Sequence, residues 1–93
     1  MKLRWTQRAA HAFATVLDYV EERNPAAATR MEALILKAAA RIVDFPAACR
    51  HGRVSGTCEM VVPGTPYIII YRVETQWVVI LHLLHSKQQW PPQ

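Results

Sequence analysis

The feature that most constrains this chain is a pair of apolar runs near its end. They are Tyr67-Ile68-Ile69-Ile70-Tyr71-Arg72-Val73 and Trp77-Val78-Val79-Ile80-Leu81-His82-Leu83-Leu84-His85. Both are rich in β-branched and aromatic residues, which pack well on a pleated surface. Neither alternates apolar with polar side chains, so each needs cover on both faces. Joined by the short link Glu74-Thr75-Gln76, they read as a hairpin at the centre of a sheet. The rest of the chain must supply neighbouring strands and a layer that buries this hairpin.

That layer is legible upstream. Thr6 fits the N-cap of a helix running to about Glu22, with an apolar stripe of Ala10, Phe13, Ala14, Leu17 and Val20. Asn24-Pro25 then caps a second helix, which the pattern starts at Ala26 and ends near Pro46. Its buried stripe is Met31, Leu34, Ile35, Ala38 and Ile42. So short a turn between two long helices makes an antiparallel hairpin. Lys2-Leu3-Arg4-Trp5 alternates as a short strand. After Gly52 the period is again that of strands: Arg53-Val54 is one candidate and Cys58 to Val62 another, with Pro63-Gly64-Thr65-Pro66 as the following turn. The expected fold is a single α+β domain over residues 1–93: an N-terminal strand, then an antiparallel helix hairpin packed on a twisted antiparallel β-sheet. Residues 86–93 form a polar tail, held at Trp90.

Ninety-three residues give one modest core, so a partner that covers apolar surface is expected. Eleven Lys and Arg against seven Asp and Glu leave a net charge of +4. In the second half, Arg50, Arg53, Arg72 and Lys87 face only Glu59 and Glu74. Such a balance suits nucleic acid or an acidic protein partner, or a solvated basic face. The start of the chain lacks the apolar core of a signal peptide, and Trp77 to Leu84 is too short to span a bilayer. No membrane partner is expected. Cys49 and Cys58 have neither metal-ligand spacing nor a disulfide framework, so the chain reads as cytoplasmic with reduced thiols.

Several residues stand out for chemistry. Arg72 is a charge on a central strand and must reach solvent, a carboxylate or a ligand phosphate; Glu59 on the neighbouring strand is the carboxylate alternative. His82 and His85 have opposite parity, which excludes a shared metal site. His82 is expected beneath the helices, and His85 at the strand end, where an imidazole can move protons. Arg50, His51 and Arg53 form either a phosphate-contacting loop or a solvated connection. Lys87 adds a charge beyond the last strand, and Trp90 either stacks on a base or caps the core. No glycine-rich phosphate loop, metal spacing or nucleophile elbow occurs, so no cofactor is expected. Metal-free catalysis by such residues would be attack of a ribose 2′-OH on the adjacent phosphate, with Arg stabilising the developing charge.

The chain resembles the RelE/ParE superfamily of bacterial toxins over nearly its whole length. The matching residues are Asn24-Pro25-Ala26-Ala27, Gly52-Arg53, Gly56-Thr57 with Glu59, Pro66-Tyr67, Tyr71-Arg72-Val73, Leu84-His85 and Gln89-Trp90-Pro91. The resemblance implies a growth-inhibiting toxin of a type II toxin-antitoxin module, silenced by a cognate antitoxin that wraps it. It implies one of two targets: the ribosome and its mRNA, cleaved by an mRNA interferase, or DNA gyrase, inhibited without nuclease activity. The basic residues lean the reading towards mRNA cleavage, with Arg72 and His85 catalytic and Arg50, His51, Arg53, Lys87 and Trp90 on RNA phosphates and bases. Where relatives of this pattern usually carry Arg, this chain has Cys58, which keeps a detoxified antitoxin-binding partner as a further alternative.

Overall fold

The computed structural model describes residues 1–91; Pro92 and Gln93, the end of the expected polar tail, lie outside the described residues. The chain runs β1 (Lys2–Trp5), α1 (Gln7–Arg23), α2 (Pro25–Asp44), β2 (Cys58–Val61), β3 (Tyr67–Val73) and β4 (Trp77–His85). The strands form one sheet in the order β1-β4-β3-β2. The two apolar runs are therefore its central pair, as their double-sided hydrophobicity requires. β2, β3 and β4 are antiparallel, but β1 pairs with β4 in parallel, Lys2 opposite Trp77 and Trp5 opposite Ile80, so the sheet is mixed. Alternation marks a strand but carries nothing about the direction of a neighbour seventy residues away.

The helix boundaries follow their caps. Thr6 Oγ1 accepts the Ala9 N–H at 3.1 Å, and Asn24 Oδ1 accepts the Ala27 N–H at 3.1 Å. Pro25 takes the first position of α2, where it has no hydrogen bond to lose. The α2 stripe is as expected, with Ile35, Ala38 and Ile42 buried. The α1 stripe is met in part: Phe13, Leu17 and Val20 are half-buried, but Ala10 and Ala14 are exposed, and the fully buried Ala9, with Ala12 and Val16, completes the core-facing side. An alanine-rich helix gives a weak pattern, and the stack of Trp5 on Phe13 at 5.0 Å sets its rotation.

The helices cover one face of the sheet, burying Ile69, Tyr71, Val78, Ile80 and Leu83. The other face carries a smaller cluster of Ile68, Ile70 and Leu84, covered by Leu81 and Trp90. Between the central strands the register slips: Ile70 opposes His82, but Tyr71 opposes Ile80, leaving Leu81 as an extra residue. This bulge reverses the parity of everything after it in β4.

The α2–β2 connection departs most from expectation. Arg53-Val54 is not a strand; the segment folds back along the start of β2 through a single bridge between His51 and Cys58. The Glu59 N–H donates to the Arg50 carbonyl at 2.9 Å, and the Gly52 N–H to the Thr57 carbonyl at 2.8 Å. A side chain at Gly52 would collide with Thr57 Oγ1, so glycine is required there by space. This fold-back sets Cys49 beside Cys58, and the two, expected as reduced thiols, are joined in a disulfide with Cα atoms 5.6 Å apart. Spacing in sequence did not reveal the pair, because the fold-back that joins it depends on β2.

Ile35→Ala is expected to lower unfolding free energy by about 3 kcal/mol through a core cavity. Asn24→Ala is expected to lower it by about 1 kcal/mol through loss of the cap. Urea unfolding of the two variants checks both values and their order.

Candidate functional site

The sheet face away from the helices gathers cationic and aromatic groups around one cavity. Arg72 lies on it, with the parity of Ile68 and Ile70. His82 also lies there rather than beneath the helices, because it opposes Ile70 once the bulge has shifted the register. Its ring lies tilted against Trp90 with centroids 5.2 Å apart, and the Arg8 guanidinium lies 5.8 Å from the Trp90 ring centroid. Beside these rings is a 520 Å³ cavity lined by Arg8, Arg72, Leu81, Trp90 and the loop from Val54 to Thr57. Thr6 joins the two halves of the site: its hydroxyl donates to the Leu81 carbonyl at 3.2 Å, so the start of α1 is tied to the bulge.

The electrostatics of this face follow from its packing. Burial, and secondarily the charge of Arg8, hold the His82 pKa below its ordinary value of 6.5. His82 Nδ1 and Trp90 Nε1 are buried without a hydrogen-bond partner among the described residues. Arg72 Nε is 2.8 Å from Glu74 Oε2, not paired with Glu59. Glu59 instead holds Arg53, at 3.2 Å from its guanidinium and 2.8 Å from its N–H. Both pairs are partly exposed, so neither arginine is firmly neutralised.

The expected catalytic pair does not converge. Arg72 opposes Val79, whereas His85 opposes Tyr67, five steps or about 16 Å along β3. They also face opposite sides of the sheet, since Tyr67 packs on the helix side and His85 meets its ring edge-on at 5.4 Å. The His85 Nδ1 atom accepts the Lys87 N–H at 3.1 Å, and the His85 N–H donates to Gln88. His85 and Lys87 thus belong to the turn after β4. Tyr67 is raised above its ordinary value, by burial first and by Tyr19 second. Tyr71 is raised by burial. Of the residues singled out in the sequence, the structure brings Arg72 and Trp90 together. Arg8 is the addition that sequence reading missed, and His82, expected beneath the helices, joins it on the open face, because a helix start and a strand bulge bring them there.

A second feature is the groove between α2 and the outer edge of β2. One end, of 230 Å³, is lined by Leu34, Lys37, Arg41, Met60 and Pro63. It continues past Arg41 and Met60 into 280 Å³ bounded by Phe45, Ala48, Arg50 and Val61. Phe45 is 60% exposed and Val61 50%, and Arg41 lies over the Phe45 ring at 5.7 Å. Among the described residues the β2 edge is covered only where Arg50, His51 and Gly52 fold against it. The outward main-chain groups near Val61 are open to an added strand. His51 and Arg53 are exposed beside this fold-back rather than in the open-face cavity. Among the described residues no cluster of three potential metal ligands occurs, and no helix is long and apolar enough to cross a membrane.

Comparison with known proteins places this geometry in context. Residues 3–90 match the family described as ParE toxin of type II toxin-antitoxin system, parDE. A Sinorhizobium fredii protein described as "Putative toxin Y4kP" is 40% identical over 90 residues, 97% of this chain and 93% of that protein. "Toxin RelE2" of Caulobacter vibrioides is 32% identical over 83 residues, 88% and 91% of the two chains. Among solved structures, a chain of the chromosomal ParDE system from P. aeruginosa superposes with a TM-score of 0.84 at 22% identity, covering 91% of this chain and 95% of its own. The RelBE2 toxin-antitoxin complex from Mycobacterium tuberculosis gives 0.62 at 21% identity, covering 90% and 88%. At these identities the structural likeness speaks for the fold: two helices on a four-stranded mixed sheet with an N-terminal strand.

His82 provides a test of the open face. Its imidazole binds a proton less readily in the fold than in the unfolded chain, so the unfolded state takes up more protons as pH falls through about 6.5. Stability is therefore expected to fall as pH drops from about 7.5 to about 5.5. His82→Gln should remove part of that decline, read from urea midpoints of both proteins at the two pH values.

Proposed function

From the premise that the chain belongs to the ParE toxin family of type II toxin-antitoxin systems, we propose that it arrests growth by binding DNA gyrase rather than by cutting RNA. The observation that carries this reading is the separation of Arg72 from His85, at opposite ends and on opposite faces of the central hairpin. In-line attack by a ribose hydroxyl needs a proton-transfer group and a phosphate-stabilising cation within reach of one phosphate. A binding inhibitor needs only a shaped, charged surface. The open face offers one, with Arg8, Arg72 and Trp90 around a cavity beside the apolar cluster.

The antitoxin belongs, in this reading, in the α2–β2 groove. An extended segment with acidic and apolar side chains would pair with the free edge near Val61, fill the space over Met60 and meet Lys37, Arg41 and Arg50. Ribosome-dependent mRNA cleavage remains the second reading on one observation: Arg72 and His82 share a face, with Arg8 beside the same Trp90 ring. In that reading His82, not His85, would stand nearest the phosphate.

Induced expression without antitoxin separates the two targets. Gyrase binding predicts cleaved DNA and a DNA-damage response within minutes, while protein synthesis continues. Early loss of translation with mRNA cut within codons would replace it with the nuclease reading. Arg72→Ala should lower toxicity at least about ten-fold in either case, by removing a charged contact at the target surface. Arg41→Glu should leave the toxin active but escape neutralisation, with antitoxin affinity reduced roughly ten-fold or more through charge reversal in the groove.

A further inference from the structure

The Cys49–Cys58 bond joins the segment that leaves α2 to the start of β2, where Ala48, Arg50 and Glu59 line the α2–β2 groove. Cys58 opens β2, opposite Tyr71, and is 6% exposed. Cys49 lies in the segment that leaves α2 and is half-buried against the same core. Its chain neighbours Ala48 and Arg50 both line the groove, as does Phe45. Among the described residues, the backbone N–H groups of Phe45 and Ala48 are bonded to Arg41 and Phe45, within the segment and α2 rather than to the sheet. The first backbone tie to β2 is the Arg50 carbonyl. Ahead of that point, among the described residues, the disulfide is the covalent tie between this wall and the sheet.

The chemistry around Cys49 favours exchange. A thiolate is the reactive species, and cationic neighbours favour it. Arg50 follows Cys49 directly, Arg41 lines the same groove, and the nearby Glu59 carboxylate is paired with Arg53. Of the two sulfurs, that of Cys49 belongs to the more exposed residue, and access selects the point of attack.

We propose that Cys49 is a thiol–disulfide exchange site for low-molecular-weight thiols of the glutathione class, and that its bond to Cys58 sets how tightly the α2–β2 groove holds the antitoxin. The antitoxin half of this rests on the groove being its docking site. Opening begins when a glutathione thiolate attacks Cys49 Sγ; the sulfur–sulfur bond breaks and its electron pair leaves on Cys58 Sγ, which takes a proton. A second glutathione thiolate attacks the glutathione sulfur of the mixed disulfide, releasing the Cys49 thiolate and glutathione disulfide. One protein disulfide and two thiols become two protein thiols and one small disulfide, and the reverse steps close the bond. With the bond closed, Ala48 and Arg50 are pre-positioned. With it open, the partner must order that wall, and affinity falls about ten-fold.

The test equilibrates the full chain in glutathione and glutathione disulfide buffers of varied ratio. Thiols are counted by alkylation and mass, and trypsin cleavage after Arg50 and Arg53 is timed in each buffer. Affinity is measured for the antitoxin polypeptide encoded beside this chain, with Arg41→Glu run in parallel. The proposal expects both thiols to appear together and reversibly, cleavage at least about ten-fold faster when reduced, and antitoxin affinity about ten-fold lower. A Cys49→Ala, Cys58→Ala protein should show the weaker affinity in every buffer, and wild type alone supplies the result if that variant does not fold. Cleavage indifferent to reduction overturns the latch. Loosening without loss of affinity, while Arg41→Glu does lose it, overturns the regulation but leaves the groove reading standing. Loosening with no loss in either protein removes the groove reading, and this proposal with it.

Discussion

Everything in this molecule depends on burying β4. Seven of its nine residues are apolar and they lie on both faces, and both of its edges are paired, with β1 on one side and β3 on the other. A strand of this composition is stable only inside a sheet with cover above and below. The helix hairpin supplies one cover, with Ala9, Phe13 and Val16 of α1 and Ile35, Ala38 and Ile42 of α2 in one cluster with Val78, Ile80 and Leu83. The other is much smaller, being little more than Leu81 and Trp90 over Ile68, Ile70 and Leu84. That imbalance leaves a sheet face on which cationic and aromatic side chains can gather without breaking the core.

The bulge at Leu81 decides which side chains gather there. One extra residue in β4 sends His82 to the open face and His85 to the helix face, the reverse of simple alternation. It also leaves the Leu81 carbonyl free to accept the Thr6 hydroxyl, which fixes the start of α1 and carries Arg8 towards Trp90. A local irregularity of one residue therefore connects an N-cap, a strand register and a candidate site.

The opposite edge of the sheet follows a different logic. β2 has four residues and a partner on one side, so its free edge would be a liability if left bare. The fold-back of Arg50 to Thr57 covers its first half, held by the disulfide and by Glu59 on Arg53. Its second half opens into a basic, apolar groove. Cys58, which stands where relatives of this pattern usually carry Arg, is buried in the core on the helix side of the sheet and bonded across the fold-back.

By itself the sequence determined the elements, the caps at Thr6 and Asn24, the α2 stripe, the central placement of β3 and β4 and the family resemblance. Each rests on a local signal: a capping side chain, a period, or a short motif read in order. The rotation of α1, the parallel pairing of β1, the disulfide and the composition of the open-face site were decided by the tertiary structure. Those depend on residues far apart in the chain, such as Trp5 with Phe13, Cys49 with Cys58 across a fold-back, and Ile70 with His82 across a bulge. Alternation counted along one strand cannot contain a register shift, because the shift exists only between two strands.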